Sequence, residues 1–179
     1  MTFLNQTANQ AKSQTELEQK IERELETIGL NLVQFQKFQN GDYPTLRITI
    51  NDPCKPVGHE QCAKATKLIH KLDPNLSEKY HLEVWSPGIG RELKTQRDFE
   101  IFKAKKVELI FLDSKTKPVI GNLLGKFENL IKLQILDPNA DNISFLEECF
   151  DESLISKVQL AHDEVLSQNN PVEISLEDV

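Results

Sequence analysis

The chain has 179 residues, of which 39% are hydrophobic and 27% charged, a composition that predicts one or two soluble globular domains. No apolar stretch approaches the roughly 20 residues that a membrane span requires. The first residues also lack the basic cluster and apolar core of a secretory signal. The three cysteines, an odd number at unrelated spacings, favour reduced thiols over a disulfide framework. We therefore expect a cytoplasmic protein with no membrane partner.

The formal net charge of −7 is distributed unevenly along the chain. Residues 133–179 hold eleven acidic side chains and a single basic one, Lys157, whereas the preceding part is slightly basic. This acidic last quarter has two interpretations. It can be a solubilising segment, or it can be a surface that attracts a basic protein.

Residues 1–14 are polar and aperiodic, so we expect them to be disordered. Ser13 and Glu16 have the spacing of a capping box. Apolar residues follow at intervals of three or four between Leu17 and Ile28, which predicts an amphipathic helix. Gly29 is well placed to end this helix in a left-handed conformation.

A β-hairpin is predicted next. The first strand covers Leu30–Phe38, with Val33 and Phe35 on one side, and a turn signal follows at residues 40–42. The second strand alternates apolar and polar side chains over residues 46–50.

A second helix is predicted from the apolar face that runs from Cys62 to Leu72, and it stops before Pro74. The alternation in Tyr80–Trp85 then predicts a strand, which residues 86–88 (Ser-Pro-Gly) break. The first domain, residues 15–94, thus has the element order αββαβ and belongs to the α+β class.

Past Lys94 the pattern becomes β-rich. Thr95 can cap a short helical turn, and four strand-like segments follow at intervals of about ten residues. Strands this short suit a small closed barrel without free edges, over residues 95–166. The last residues, 167–179, are expected to form a disordered acidic tail. The four strand-like segments are Val107–Leu112, Val119–Phe127, Leu130–Leu136 and Ile143–Phe150.

A catalytic or metal site would have to use Cys54, His59, Cys62 and His70, which do not have the paired spacings of zinc ligands. Cys62 is more simply a small apolar residue of the second helix. The glycines at residues 121–125 lack the features of a phosphate loop and indicate a strand that needs close backbone approach. We expect no enzyme, no metal and no cofactor, and we keep a Cys-His hydrolase or metal enzyme as the alternative.

The segment Tyr80–Lys94 (YHLEVWSPGIGRELK), followed by Asp98-Phe99 and Phe102, resembles the signature of the RimP family of ribosome maturation factors. The order of the other predicted elements is also similar to that family. Trp85 stands where the family usually has a small residue, and Gly90 where it usually has an acidic one.

The resemblance implies a KH-like first domain and an SH3-like β-barrel as the second. It implies a ribosome assembly factor that binds the free, immature small (30S) ribosomal subunit and promotes its maturation without catalysis. Its partners would be 16S rRNA and a basic small-subunit protein of the decoding region, and we expect a monomer. A generic RNA-binding regulator remains an alternative.

Several residues of the signature have predicted roles. Ser86, Pro87 and Gly88 have a structural role, since proline removes a ladder donor and glycine permits a positive φ. Trp85, the only tryptophan, is either partly buried between the domains or an exposed stacking surface for a base.

The basic residues that follow, Arg91, Lys94 and Arg97, can contact phosphates of rRNA. Arg91 can instead pair with Asp98, and the sequence leaves both roles open.

The acidic residues Glu147, Asp151 and Glu152 are candidates for binding the basic ribosomal protein by charge complementarity.

Overall fold

The computed structural model describes residues 16–41, 43–137 and 143–161. Two sheets, each with its own core, follow one another along the chain. We call residues 16–85 the first unit, residues 86–92 the junction segment and residues 93–161 the second unit. The disordered segments predicted at 1–14 and 167–179, and the cap at Ser13, lie outside the described residues. The elements are α1 (16–27), β1 (Asn31–Asn40), β2 (Tyr43–Asn51), α2 (His59–Leu72), α3 (Leu76–Lys79), β3 (His81–Trp85), α4 (Gln96–Ile101), β4 (Lys106–Phe111), β5 (Val119–Phe127), β6 (Leu130–Leu136), β7 (Phe145–Asp151) and β8 (Ile155–Leu160), with a 3-10 helix at Glu152–Leu154 between the last two strands.

The first unit contains a three-stranded sheet in the order β1-β2-β3. Strands β1 and β2 form the predicted antiparallel hairpin, and β3 returns through α2 to lie parallel to β2. One face of the sheet is apolar and packs on the helices, as shown by fully buried Ile48 of β2 and Ile69 of α2. The predicted order αββαβ is confirmed, with the short helix α3 added before β3.

Val33 does not share a side of β1 with Phe35, so this part of the hairpin prediction is wrong. The register shifts between Leu32 and Gln34, which places a β-bulge at Val33. A bulge inserts one residue and reverses the alternation beyond it. Leu32 and Phe35 therefore bury in the first core, while Val33 packs against the core of the second unit.

The second unit is a five-stranded antiparallel sheet in the order β7-β6-β5-β4-β8. The limits predicted for β5 and β6 are confirmed, and β4 and β7 are each shifted by one or two residues. A fifth strand, β8, was not predicted from the sequence and pairs with β4. Gly121 of β5 lies so close to β6 that an added Cβ would meet Gln134 O at 2.7 Å, which confirms the predicted close approach.

Helix α4 begins at the predicted cap. Thr95 Oγ1 accepts a hydrogen bond from Asp98 N at 3.2 Å, and Phe99 and Phe102 anchor the helix in the second core. The two units also touch directly, since Asn51 Nδ2 donates to Ile101 O at 3.1 Å.

None of the helices among the described residues is long and apolar enough to cross a membrane.

Candidate functional site

The turn after β3 takes its shape from Gly90 and not from Gly88. Arg91 N donates to Gly88 O at 3.1 Å, and Gly90 has a φ of 77°. A turn closed by this bond requires positive φ at its third residue when it is of type II, and glycine adopts that conformation without strain. Gly88 is not among the residues with positive φ, so the positive φ expected there was wrong, although Gly88 O accepts the hydrogen bond that closes the turn. Pro87 still ends the strand.

The junction segment and Leu93, the residue that follows it, are hydrogen-bonded to β8. Gly90 N donates to Leu160 O at 3.0 Å, Leu160 N donates to Arg91 O at 2.9 Å, and Leu93 N donates to Val158 O at 2.9 Å. The connection between the units therefore follows the last strand of the sheet instead of running free.

Arg91 bridges the two units. Its Nη1 donates to Gln34 Oε1 of β1 at 3.2 Å, and its Nη2 lies 3.4 Å from Asp98 Oδ1 of α4. The guanidinium carbon also lies 5.9 Å from the centre of the Phe102 ring. The side chain is only 23% exposed, and its buried Nε has no partner among the described residues. Of the two roles left open for Arg91, the ion pair with Asp98 is present here.

The carboxylate of Asp98 accepts several hydrogen bonds. It accepts from Thr95 N at 2.9 Å, Thr95 Oγ1 at 2.8 Å and Lys94 N at 3.2 Å. Burial alone would raise the pKa of Asp98, but these hydrogen bonds and the charge of Arg91 outweigh it and lower the pKa. Asp98 is consequently ionised at neutral pH and fixes both the helix cap and Arg91.

Arg97 and Lys94 differ in their surroundings. Arg97 is bound to the Glu22 carboxylate and donates to Leu32 O at 3.1 Å. The depression around Arg97 is also lined by Glu26 and Glu100. Lys94 is 69% exposed and has one partner at the surface, Glu92, with Nζ and Oε2 3.0 Å apart. Lys94 is therefore the more accessible cation of the two.

Trp85 is exposed and not buried between the units. It retains 52% of its accessible surface and lies on the side of the first sheet that faces away from the core. Arg47 of β2 stacks between two aromatic rings, with its guanidinium carbon 4.9 Å from the Trp85 ring centre and 4.8 Å from that of Phe38. Glu83 Oε2 holds Arg47 Nε at 2.7 Å. Arg47 was not predicted as a site residue from the sequence. Its side chain alternates with the apolar residues of β2, which was the signal available for it.

A cleft of about 250 Å³ lies between the two units beside the Ser-Pro-Gly turn. Three of its lining residues are lysines, and none of the residues that line it is acidic. The backbone of the loop after β2 is tied to the second unit here, because Lys105 Nζ donates to Lys55 O at 3.3 Å. We call this feature the lysine cleft. Its lining residues are Asn51, Lys55, Pro56, Val57, Ser86, Pro87, Gly88, Ile89, Phe102, Lys105, Lys106, Leu160 and Ala161.

The candidate acidic residues lie on β7 and in the 3-10 helix that follows. Glu147 pairs with Lys132 of the adjacent strand, and Glu152 pairs with Lys126. Asp151 accepts from Ser153 N at 2.9 Å, and this bonding lowers the pKa of Asp151. All three side chains are engaged locally, although Glu147 remains 55% exposed.

The cysteine and histidine residues do not form a site. Cys54 and Cys149 are exposed, while Cys62 is partly buried on α2. Burial raises the pKa of the Cys62 thiol, the opposite of what an activated nucleophile requires. Among the described residues there is no group of three or more His, Cys, Asp or Glu side chains that could hold a metal ion.

Comparison with known proteins gives the family. Residues 20–90 match the family model described as RimP N-terminal domain. The chain is 34% identical to the ribosome maturation factor RimP of Microcystis aeruginosa over 113 residues, which is 60% of this chain and 72% of that protein. It is 35% identical to the ribosome maturation factor RimP of Prochlorococcus marinus over 102 residues, 54% of this chain and 65% of that protein.

These matches extend the likeness beyond the signature segment to the whole first unit. The chain belongs to the RimP family.

Proposed function

We propose that this protein is a ribosome maturation factor that binds the free, immature small (30S) ribosomal subunit in the cytoplasm and acts without catalysis. The observation that carries the proposal is the family relationship, since the relatives are named ribosome maturation factors. The structure adds an exposed basic and aromatic surface at the meeting of the two units, which suits binding more than chemistry.

We also propose the finer assignments of the fold. The first domain, residues 15–94, would be KH-like, and the second, residues 95–166, would be SH3-like. The predicted closure without free edges is not seen among the described strands, because β7 and β8 stand at the two ends of the sheet order and do not pair. The two separate cores support two domains, with Leu93 reaching from the first range into the second core.

The proposed partners are 16S rRNA and a basic small-subunit protein of the decoding region. Lys94 and Trp85 are accessible for RNA contact. Arg91 and Arg97 would act on the same surface mainly by holding the two units together. Arg91 contacts Gln34 of the first unit and Asp98 of the second. Arg97 of the second unit contacts Glu22 and Leu32 of the first.

For the basic protein we propose the surface around β7. It carries Glu147, Asp151 and Glu152 in the acidic last quarter of the chain, and opposite charges across an interface speed encounter and fix orientation.

The test is sedimentation of the tagged full chain through a gradient that separates free subunits from translating ribosomes. We expect the protein to migrate with free small subunits and to be absent from polysomes. A correctly folded protein that fails to bind free subunits at low salt would refute the proposal. Recovery of a spread of messenger RNAs instead of small-subunit precursor would favour a general RNA-binding regulator.

The contribution of Lys94 can be measured against a closely matched lysine. Lys94→Ala should weaken binding to small subunits and reduce the salt slope by about one, as expected for loss of one phosphate contact. Lys64 on α2 is a suitable control because it is similarly exposed, at 62%, and is also paired with one surface glutamate, Glu60. Lys64→Ala should leave both quantities unchanged, and equal effects of the two substitutions would exclude a specific role for Lys94.

A further inference from the structure

The open face of the first sheet carries a stacked row of side chains that packing of the core does not require. Thr49 pairs with Trp85 and Arg47 pairs with Glu83, so alternate residues of β2 and β3 point to this face. Arg47 lies between the Phe38 and Trp85 rings at 4.8 and 4.9 Å, which spans all three strands. The face that packs on α1 and α2 is the opposite one.

Trp85 lies at the end of this row, and part of its indole ring is exposed. Arg47 stacks on it, and Glu83 fixes Arg47 through a 2.7 Å contact in which the Glu83 side chain is only 17% exposed. More than half of the Trp85 surface nevertheless remains accessible. A cation behind an aromatic ring orients the ring and offsets negative charge brought close to it. The indole thus contacts Arg47 and still leaves ring surface exposed for a ligand.

The lysine cleft begins at the next residue. Ser86 follows Trp85 directly and lines the cleft, whose cationic residues Lys55, Lys105 and Lys106 come from both units. The residues that line the cleft thus contribute three positive charges and no negative one, although the chain as a whole is acidic. The two neighbouring features therefore offer aromatic stacking at one end and cationic groups at the other.

Unpaired RNA has the chemistry that matches both features. Proteins that bind single strands combine a positive groove for the backbone with aromatic side chains on which bases stack. A duplex keeps its bases stacked on one another and cannot use the indole in this way. An acidic peptide would satisfy the lysines but would leave the Phe38–Arg47–Trp85 row without a function.

We propose that Trp85, supported by Arg47, and the lysine cleft form one site for a short unpaired RNA segment, with a base on the indole and adjacent phosphates at Lys55, Lys105 and Lys106. That this RNA belongs to the small subunit rests on the proposed function. The site itself does not, because it follows from the side chains that the two units bring together.

The tryptophan itself reports on the site, since Trp85 is the only one in the chain. The full chain at low salt is titrated with a single-stranded oligouridylate of about six nucleotides, within the range that small domains bind. We expect the oligonucleotide to quench the fluorescence of Trp85 saturably. A duplex of the same length should quench it far less. Unchanged fluorescence, or equal quenching by the duplex, would overturn the proposal. Equal quenching by polyglutamate would also overturn it, because the site would then select charge alone.

Variants are compared by the anisotropy of a labelled oligonucleotide. Trp85→Ala should weaken binding by about 5- to 150-fold, the range for loss of one stacked base, and Trp85→Phe should recover most of it. Lys55→Gln should weaken binding and lower its salt dependence, whereas Lys71→Gln in the last turn of α2 should not. Thermal unfolding confirms that each variant is folded. Failure of Trp85→Phe to recover binding would argue against stacking.

The fluorescence titration and the sedimentation test can fail independently of each other. Quenching by the oligonucleotide without binding to small subunits would keep the RNA site and refute the ribosomal function. Binding to small subunits without any quenching would keep the function and refute the site.

Discussion

Replacement of Asp98 by alanine is the most direct test of how α4 and the junction are held together. The substitution removes the acceptor for Thr95 N, Thr95 Oγ1 and Lys94 N and the partner of Arg91. Thr95 Oγ1 still accepts from the backbone N–H of residue 98, so the loss comes from the Asp98 side chain alone. Hydrogen bonds to a charged group contribute about 1.5–3 kcal/mol, and leaving a partly buried charged group without its partner costs about 1–3 kcal/mol. Arg91 keeps its bond to Gln34, so we expect the free energy of unfolding to fall by about 2–4 kcal/mol in total.

The assay is urea unfolding followed by circular dichroism, together with thermal melting. Asp98→Asn should fall between the wild type and Asp98→Ala, because the amide retains an acceptor oxygen but no charge. Asp113 provides a matched control: it accepts from Lys115 N at 3.0 Å in an exposed turn and has no arginine partner. Asp113→Ala should cost no more than about 0.5 kcal/mol, as for other surface changes. Equal losses at the two aspartates would refute the reasoning.

Two further predictions concern stability. The pKa of Asp98 is lower in the folded state, so its stabilising effect is complete above the unfolded carboxyl pKa of about 3.9 and is lost as the pH falls through the lower folded value. The difference in unfolding free energy between the wild type and Asp98→Asn should therefore be constant near neutral pH and shrink below about pH 4. Urea unfolding at a series of pH values measures this difference. A difference that stays constant over the whole range would show that folding does not change the pKa of Asp98. Gly121→Ala would bring a Cβ to 2.7 Å from both Gln134 O and Ile135 Cγ2. It should lower the melting temperature through a loss of about 1–3 kcal/mol, whereas Gly88→Ala, with open space around it, should not.

The elements that could be predicted from the sequence are those whose local pattern and packing agree. The limits of β5 and β6 are correct because β5 is rich in apolar residues, β6 alternates apolar and polar residues over 131–135, and a tight turn at Glu128 and Asn129 separates the two strands. The cap at Thr95 is correct because its partner, Asp98, is only three residues away. Short-range chemistry of this kind can be read from one sequence.

The missed features depend on contacts that are distant in sequence. Strand β8 follows a 3-10 helix without a glycine or proline to mark its start, and its existence depends on pairing with β4. The bulge at Val33 follows from the packing of that side chain on the second core. The same holds for the lysine cleft, since Lys55 and Lys105 are fifty residues apart and meet only when the units meet.

The hydrogen bonds between the junction segment and β8 bear on the order in which the chain can reach its final geometry during synthesis. Residues 90–93 emerge from the ribosome well before their partners at 158–160, with an interval of seconds at bacterial elongation rates of about 5–20 residues per second. Until β8 arrives, Gly90 N and Leu93 N lack their acceptors, and the relative orientation of the two units cannot be completed. In a nascent chain, the joint between the two units therefore lacks these hydrogen bonds until residues 158–160 have emerged. The surface shared by both units, the lysine cleft included, consequently forms only after β8 has been synthesised, since Leu160 and Ala161 line the cleft.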